Sequence, residues 1–316
     1  VLIRVRACAS GGGAGHGMAG STGRRRPPIV MGHEAAGLVE RVGSGVQGWK
    51  PGEAVTFDST ISCGSCAFCR AGRINLCDNR RVLGVSCEEY RRDGAMAELV
   101  AVPERILYRL PAGMPFVRAA LVEPVSIAVH AVERTPLRLG ETCVVVGAGN
   151  IGLLVIQVLR ARGAGRVVAV EPDARRHEQA RALGADEVVG DPSEAPRIVG
   201  GMTEGRGADR CFEVVGLAET LETALLCVRK GGSVTMVGTL APRVSFAQQY
   251  AVTREVDLLG SCASAGEYPA CLARIASGAV DVDALVSHTA PLAEGAAWFR
   301  RLAAREPGVG KVVLEP

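Results

Sequence analysis

Apolar and polar positions alternate along Val1-Leu2-Ile3-Arg4-Val5-Arg6, a period of two that predicts a strand. No Met precedes it, so further residues are expected ahead of Val1. The longest uncharged apolar run, Thr142 to Leu159, is long enough to resemble a membrane span, but it contains Asn150, Gln157 and three glycines. It predicts a buried strand, a tight turn and a buried helix. The same rhythm continues with strands at 166–170, 187–189, 209–214 and 233–237 and helices at 174–183 and 218–228. Strands alternating with helices predict an α/β fold with a parallel sheet covered on both faces. Before about residue 124 the pattern changes to short strands and turns such as Lys50-Pro51-Gly52, which describes an irregular β-rich domain. Further on, helices are expected at 267–277 and 293–304, a strand at 311–314, and a pairing edge for a second subunit at 256–260.

Length and charge narrow the function classes. A chain of 316 residues suits about two domains. Its 48% hydrophobic and 22% charged residues describe a globular protein with a substantial core. The net charge is only +3, and Arg24-Arg25-Arg26, Arg80-Arg81 and Arg91-Arg92 are short and dispersed. They read as solvated loops, and no nucleic-acid partner is expected. Nothing marks the sequence for secretion, so a cytoplasmic location without a membrane partner is expected. In that setting eleven cysteines point to metal rather than to a disulfide framework.

Four of them, Cys63, Cys66, Cys69 and Cys77, fall within fifteen residues. Four thiolates at this spacing can close a tetrahedral shell around zinc with no position left for water, which describes a structural site. Buried free thiols or a disulfide pair are the competing readings. Cys87, Cys143, Cys211, Cys227, Cys262 and Cys271 lie mostly in apolar surroundings and read as small buried hydrophobes.

Gly147-Ala148-Gly149-Asn150-Ile151-Gly152 follows a strand and opens a helix, the context in which GxGxxG binds a dinucleotide. The first glycine permits the turn, the second admits the pyrophosphate, and the third lets helix and strand pack closely. Glu171 ends the next strand, placed to accept from the adenosine ribose hydroxyls. Its charge opposes a 2′-phosphate and favours NAD, while Arg175 and Arg176 beside it keep NADP open. An ordinary glycine turn is the alternative. Gly32-His33-Glu34 and Glu123-Pro124 complete the candidates, and by themselves such His and Glu residues are more often structural.

Together these motifs resemble the zinc-dependent medium-chain alcohol dehydrogenases, in particular the polyol (sorbitol-like) branch. The resemblance runs from Val1 to Pro316. It rests on residues 32–37, the four-cysteine lobe, Val122-Glu123-Pro124, Gly147 to Gly152 and Gly310-Lys311-Val312-Val313. It implies a GroES-like catalytic domain at 1–124 completed by 261–316, a doubly wound Rossmann domain at 125–260, an active site in the cleft, and a homodimer or homotetramer. It also implies a catalytic zinc held by a Cys with His33 and Glu34, Glu123 nearby, and reversible oxidation of a secondary alcohol or polyol, including a sugar alcohol or its phosphate. Where the family carries that Cys, this chain has Gly11, and Gly13 replaces the relay hydroxyl. Cys8 is three residues away, too far along an extended strand to substitute. His16 stands at a family His position. The sequence therefore implies a catalytic zinc site impaired by loss of a thiolate, or an inactive NAD-binding scaffold or sensor.

Overall fold

The computed structural model describes residues 1–11, 28–85 and 90–316, so Gly13, His16, Arg24 to Arg26 and Cys87 lie outside the described residues. The chain divides into two compact units, Val1–Ser126 with Ala263–Pro316, and Ile127–Cys262.

The first unit is built on a seven-stranded sheet. Its main path runs Val286–Pro291, Lys311–Glu315, Leu2–Ser10, Glu34–Arg41, Ala54–Phe57 and Leu107–Arg109, with Leu99–Ala101 also paired to Leu2–Ser10. Distant parts of the chain thus meet on one strand, in the register Cys8↔Leu314, Ala9↔Val313 and Ser10↔Val312. On its other side the same strand pairs Ala9 with Glu34. Ile3, Val5, Val39, Val55, Phe57 and Leu83 form the core beneath. Gly32 has φ of +99°, and a Cβ there would fall 2.7 Å from both Cys8 Sγ and the Met96 backbone nitrogen. Only glycine fits immediately before His33.

The second unit carries a six-stranded sheet ordered Glu187–Val189, Arg166–Val170, Thr142–Val146, Ala208–Glu213, Val228–Met236 and Asp257–Gly260. Every neighbouring pair is parallel. Val144, Val168, Val170, Leu221, Leu225 and Val234 pack into its core. The apolar run at 142–159 divides as expected into strand Thr142–Val146 and helix Asn150–Ala161, the latter buried from Gly152 to Leu159. No helix among the described residues is long and apolar enough to cross a membrane.

Helix Ala195–Met202 and strand Val286–Pro291 were not foreseen. The helix contains Pro196, Gly200 and Gly201, which hide its period. The strand carries His288 and Pro291 and leaves alternate residues exposed. Two surface readings also change. Cys262 is exposed rather than buried, while Arg80 is buried, with its guanidinium 4.3 Å from the centre of the Tyr90 ring.

Candidate functional site

The four-cysteine lobe closes locally. One sulfur each from Cys63, Cys66, Cys69 and Cys77 lies within 4.8 Å of the others. Backbone N–H groups point at these sulfurs: Cys66 and Ser65 donate to Cys63 at 3.4 and 3.5 Å, Cys69 to Cys66 at 3.4 Å, and Cys63 and Asn79 to Cys77 at 3.2 and 3.4 Å. The Ser65 N–H first, then its hydroxyl, hold the Cys63 thiol down to about 5. Such donors stabilise thiolate, the form that binds metal. Four converging sulfurs with these donors fit a closed zinc site.

His33, Glu34 and Glu123 form a second group, again with one donor atom each within 4.8 Å. Strand Glu34–Arg41 supplies Glu34, and the first turn of helix Val122–Arg134 supplies Glu123. Both carboxylates are buried, at 8% and 9% exposure. Burial, and after it the charge of Glu34, push Glu123 up to about 8. Ser59 Oγ donates to Glu123 Oε1 at 3.4 Å.

The chain's own cation already occupies Glu34. Lys311 Nζ donates to Glu34 Oε1 at 2.7 Å and to Oε2 at 2.6 Å. Gly310-Lys311 was readable as a family motif, yet its partner lies 277 positions away and carries no local signal. The pairing of Leu2–Ser10 with Lys311–Glu315 ends at Ser10↔Val312, one residue before Gly11 and one after Lys311. Cys8 is fully buried, pairs with Ala35 rather than Glu34, and is absent from the metal-competent groups. In number and spacing these three donors could hold a metal ion, and Gly11 carries no side-chain donor.

In the second unit, Gly147 adopts φ of +99°, and a Cβ on Gly152 would fall 1.9 Å from the Gly147 carbonyl oxygen. Gly149 is the N-cap of helix Asn150–Ala161, so the free N–H groups and positive end of that helix could receive an anionic group. Asn150 and Ile151 are half-buried in the first turn. Glu171 is 4% exposed and accepts three hydrogen bonds. Its Oε2 receives Ala148 N–H at 2.8 Å and Arg176 Nη1 at 3.3 Å, and its Oε1 receives Asp173 N–H at 3.0 Å. The carboxylate therefore braces the glycine turn, a role the sequence did not indicate. His177 Nε2 lies 2.6 Å from the Glu171 carbonyl oxygen. His130 is buried on helix Val122–Arg134.

Two families match the chain, the alcohol dehydrogenase GroES-like domain over residues 1–112 and the zinc-binding dehydrogenase over residues 150–277. L-idonate 5-dehydrogenase of Vitis vinifera is 33% identical over 270 residues, covering 83% of this chain and 72% of the relative. Sorbitol dehydrogenase of Homo sapiens is 31% identical over 294 residues, covering 92% and 80%. Among solved structures, a short chain alcohol dehydrogenase from Escherichia coli CFT073 complexed with NADH superposes with a TM-score of 0.90 at 25% identity, covering 100% of this chain and 91% of that one.

Proposed function

Because the chain belongs to the zinc-binding dehydrogenase family with an alcohol dehydrogenase GroES-like domain, we propose that it interconverts a secondary alcohol or polyol and the ketone with NAD(H), through a catalytic metal site weakened at Gly11. The observation that carries this reading is the convergence of His33, Glu34 and Glu123 in a chain that also holds a strand–glycine turn–helix. In the forward direction a substrate carbon gives hydride to the nicotinamide and the hydroxyl gives up its proton. The turn at Gly147 to Gly152 binds the pyrophosphate through backbone N–H groups, and Glu171 braces it while opposing a 2′-phosphate. Glu123, pushed up to about 8, is a carboxyl able to hold a proton beside the centre near neutral pH. Zinc held by His33 with the carboxylates would supply a Lewis acid that lowers the pKa of the alcohol. Relatives named for sorbitol and idonate support a polyol or its oxidised acid as the substrate class.

Residues 1–126 with 263–316 serve as the catalytic domain in this reading, and 127–262 as the nucleotide domain. The protein works in the cytoplasm as a homodimer or homotetramer. Strand Asp257–Gly260 is the edge of its sheet, and beside it Phe246 and Val252 are 40% and 66% exposed. That apolar edge suits pairing with a second copy.

Replacing Gly11 by Cys together with Gly13 by Ser tests the assignment. Two zinc ions per chain and turnover on a panel of sorbitol, xylitol, threonine and simple secondary alcohols are expected. A second zinc without oxidation of any of them removes the dehydrogenase reading. The donor-free Gly11 also favours a second reading, an NAD-binding scaffold or sensor without turnover. One zinc per chain, NAD binding and no activity in the unaltered protein are its signature.

A further inference from the structure

The strand order sets Thr142–Val146 between Arg166–Val170 and Ala208–Glu213. From Thr142–Val146 the chain builds outward on the Arg166–Val170 side and then crosses to the other, so this strand stands at the point where a doubly wound sheet takes its ligand. A dinucleotide is several times longer than the spacing of about 4.8 Å between neighbouring strands. With its pyrophosphate at the turn 147–152 and its adenosine beside Glu171, its nicotinamide half would reach the carboxyl ends of Ala208–Glu213 and Val228–Met236.

A second buried carboxylate stands there. Glu213 is 2% exposed, and its Oε1 accepts the Val215 N–H at 2.8 Å, the Gly216 N–H at 2.7 Å and the Thr220 hydroxyl at 2.8 Å. Its backbone carbonyl accepts the Val237 and Gly238 N–H groups at 2.8 and 3.1 Å. One residue thus ties together the loops that leave two adjacent strands. The loops also touch backbone to backbone: a Cβ on Gly238 would fall 2.2 Å from the Gly216 nitrogen, and the Ala241 N–H donates to the Gly216 carbonyl at 2.9 Å. Val214 is tied separately, its N–H donating to the Val146 carbonyl at 3.1 Å, so the strand before the glycine turn keeps that contact without the Glu213 carboxylate.

We propose that Glu213 is a positioning residue for the nicotinamide half of the dinucleotide, presetting the loops 214–217 and 237–241 that receive it. This inference rests on the reading of 147–152 as a dinucleotide-binding turn. Glu171 braces the adenosine side and Glu213 the nicotinamide side, each by accepting buried backbone N–H groups that are costly to leave unpaired. Because the two carboxylates grip different loops, loss of one is felt by one half of the cofactor.

The whole chain is titrated with NAD and, in parallel, with ADP, which carries the adenosine and the pyrophosphate but not the nicotinamide half. Glu213→Ala is expected to weaken NAD by about fivefold or more and ADP by less than about twofold. Glu213→Gln keeps an acceptor oxygen and is expected to lose less than about fivefold for NAD. Equal losses for NAD and ADP reveal a general structural role and overturn the proposal. NAD binding unchanged in a folded Glu213→Ala variant, or as weak in Glu213→Gln as in Glu213→Ala, overturns it too. If Glu213→Ala does not fold, Glu213→Asp takes its place, since its carboxylate is drawn back by one methylene. The same split between NAD and ADP is expected, and its absence overturns the proposal. An unaltered chain that binds neither NAD nor ADP defeats the dinucleotide reading itself, a result distinct from any failure of Glu213.

Discussion

Glu171 and Ala148 join two adjacent strands at their carboxyl ends: the carboxylate after strand Arg166–Val170 accepts the backbone N–H in the turn after Thr142–Val146 at 2.8 Å. One buried carboxylate thus fixes the turn by geometry and, in the proposed reading, opposes a 2′-phosphate by its charge. Glu171→Gln keeps an acceptor for Ala148 and removes the charge. Its fold is expected to persist while the ratio of NADP to NAD affinity rises about tenfold, about 1.4 kcal/mol. Glu171→Ala leaves a buried N–H without its acceptor and is expected to lose about 1–3 kcal/mol of stability. Cofactor titration and denaturant unfolding distinguish the two, and an unchanged NADP to NAD ratio in Glu171→Gln ends the selectivity argument.

Two glycines of the same turn are expected to fail differently. A Cβ on Gly149 meets nothing closer than Arg176 Nη1 at 3.8 Å, whereas one on Gly152 lands 1.9 Å from a backbone oxygen. Gly149→Ala should melt like the unaltered protein yet bind NAD about tenfold more weakly, because the methyl group occupies space needed by the pyrophosphate. Gly152→Ala should lose about 1–3 kcal/mol of stability before any cofactor is added. A Gly149→Ala variant with unaltered NAD affinity contradicts the placement of the pyrophosphate.

Removal of metal should act locally. The lobe from Cys63 to Cys77 contains little beyond a four-residue helix and a single 3₁₀ turn, so its order is expected to depend on a metal ion shared by the four sulfurs. A strong chelator is expected to release one zinc per chain and to speed amide exchange from about residue 61 to 83, while the sheet at 142–260 keeps its protection. Unchanged exchange in the lobe after metal loss would rule out a structural zinc.

Asp58 sets a pH dependence. It is 1% exposed, burial pushes it up to about 7, and its Oδ1 accepts the Thr60 N–H at 2.8 Å. The folded chain binds this proton more tightly than the unfolded chain, whose Asp titrates near about 3.9. Its contribution is therefore full below about pH 4 and is lost as pH rises through about 7. Asp58→Asn is expected to flatten that slope and to exceed the unaltered protein above pH 7 by about 2–4 kcal/mol. Melting at pH 5 and pH 8 checks this, and parallel slopes for the two proteins contradict it.

What the sequence disclosed follows contact range. Cys63 to Cys77 and Gly147 to Gly152 each act within a short segment, and spacing alone exposed them. Strands Arg166–Val170 and Glu187–Val189 fell at the expected residues because β-branched runs between turn residues mark their ends. The Lys311–Glu34 pair, the Ser59–Glu123 contact and the buried setting of Asp58 join positions far apart in the chain. Each depends on tertiary packing, which no local pattern states. Glu171 was found for its charge, and its grip on Ala148 emerged only with the fold.

The split composition of the first unit governs how the chain matures during synthesis. Residues 127–262 form a contiguous unit that can fold as soon as they emerge, whereas Leu2–Ser10 must wait for residues 311–315 to complete its pairing. Until then the Cys8–Ser10 end of that strand is an open edge, and Glu34 lacks its lysine. The centre that holds His33, Glu34 and Glu123 is thus assembled late, and its charge pairing reports that synthesis has passed Lys311.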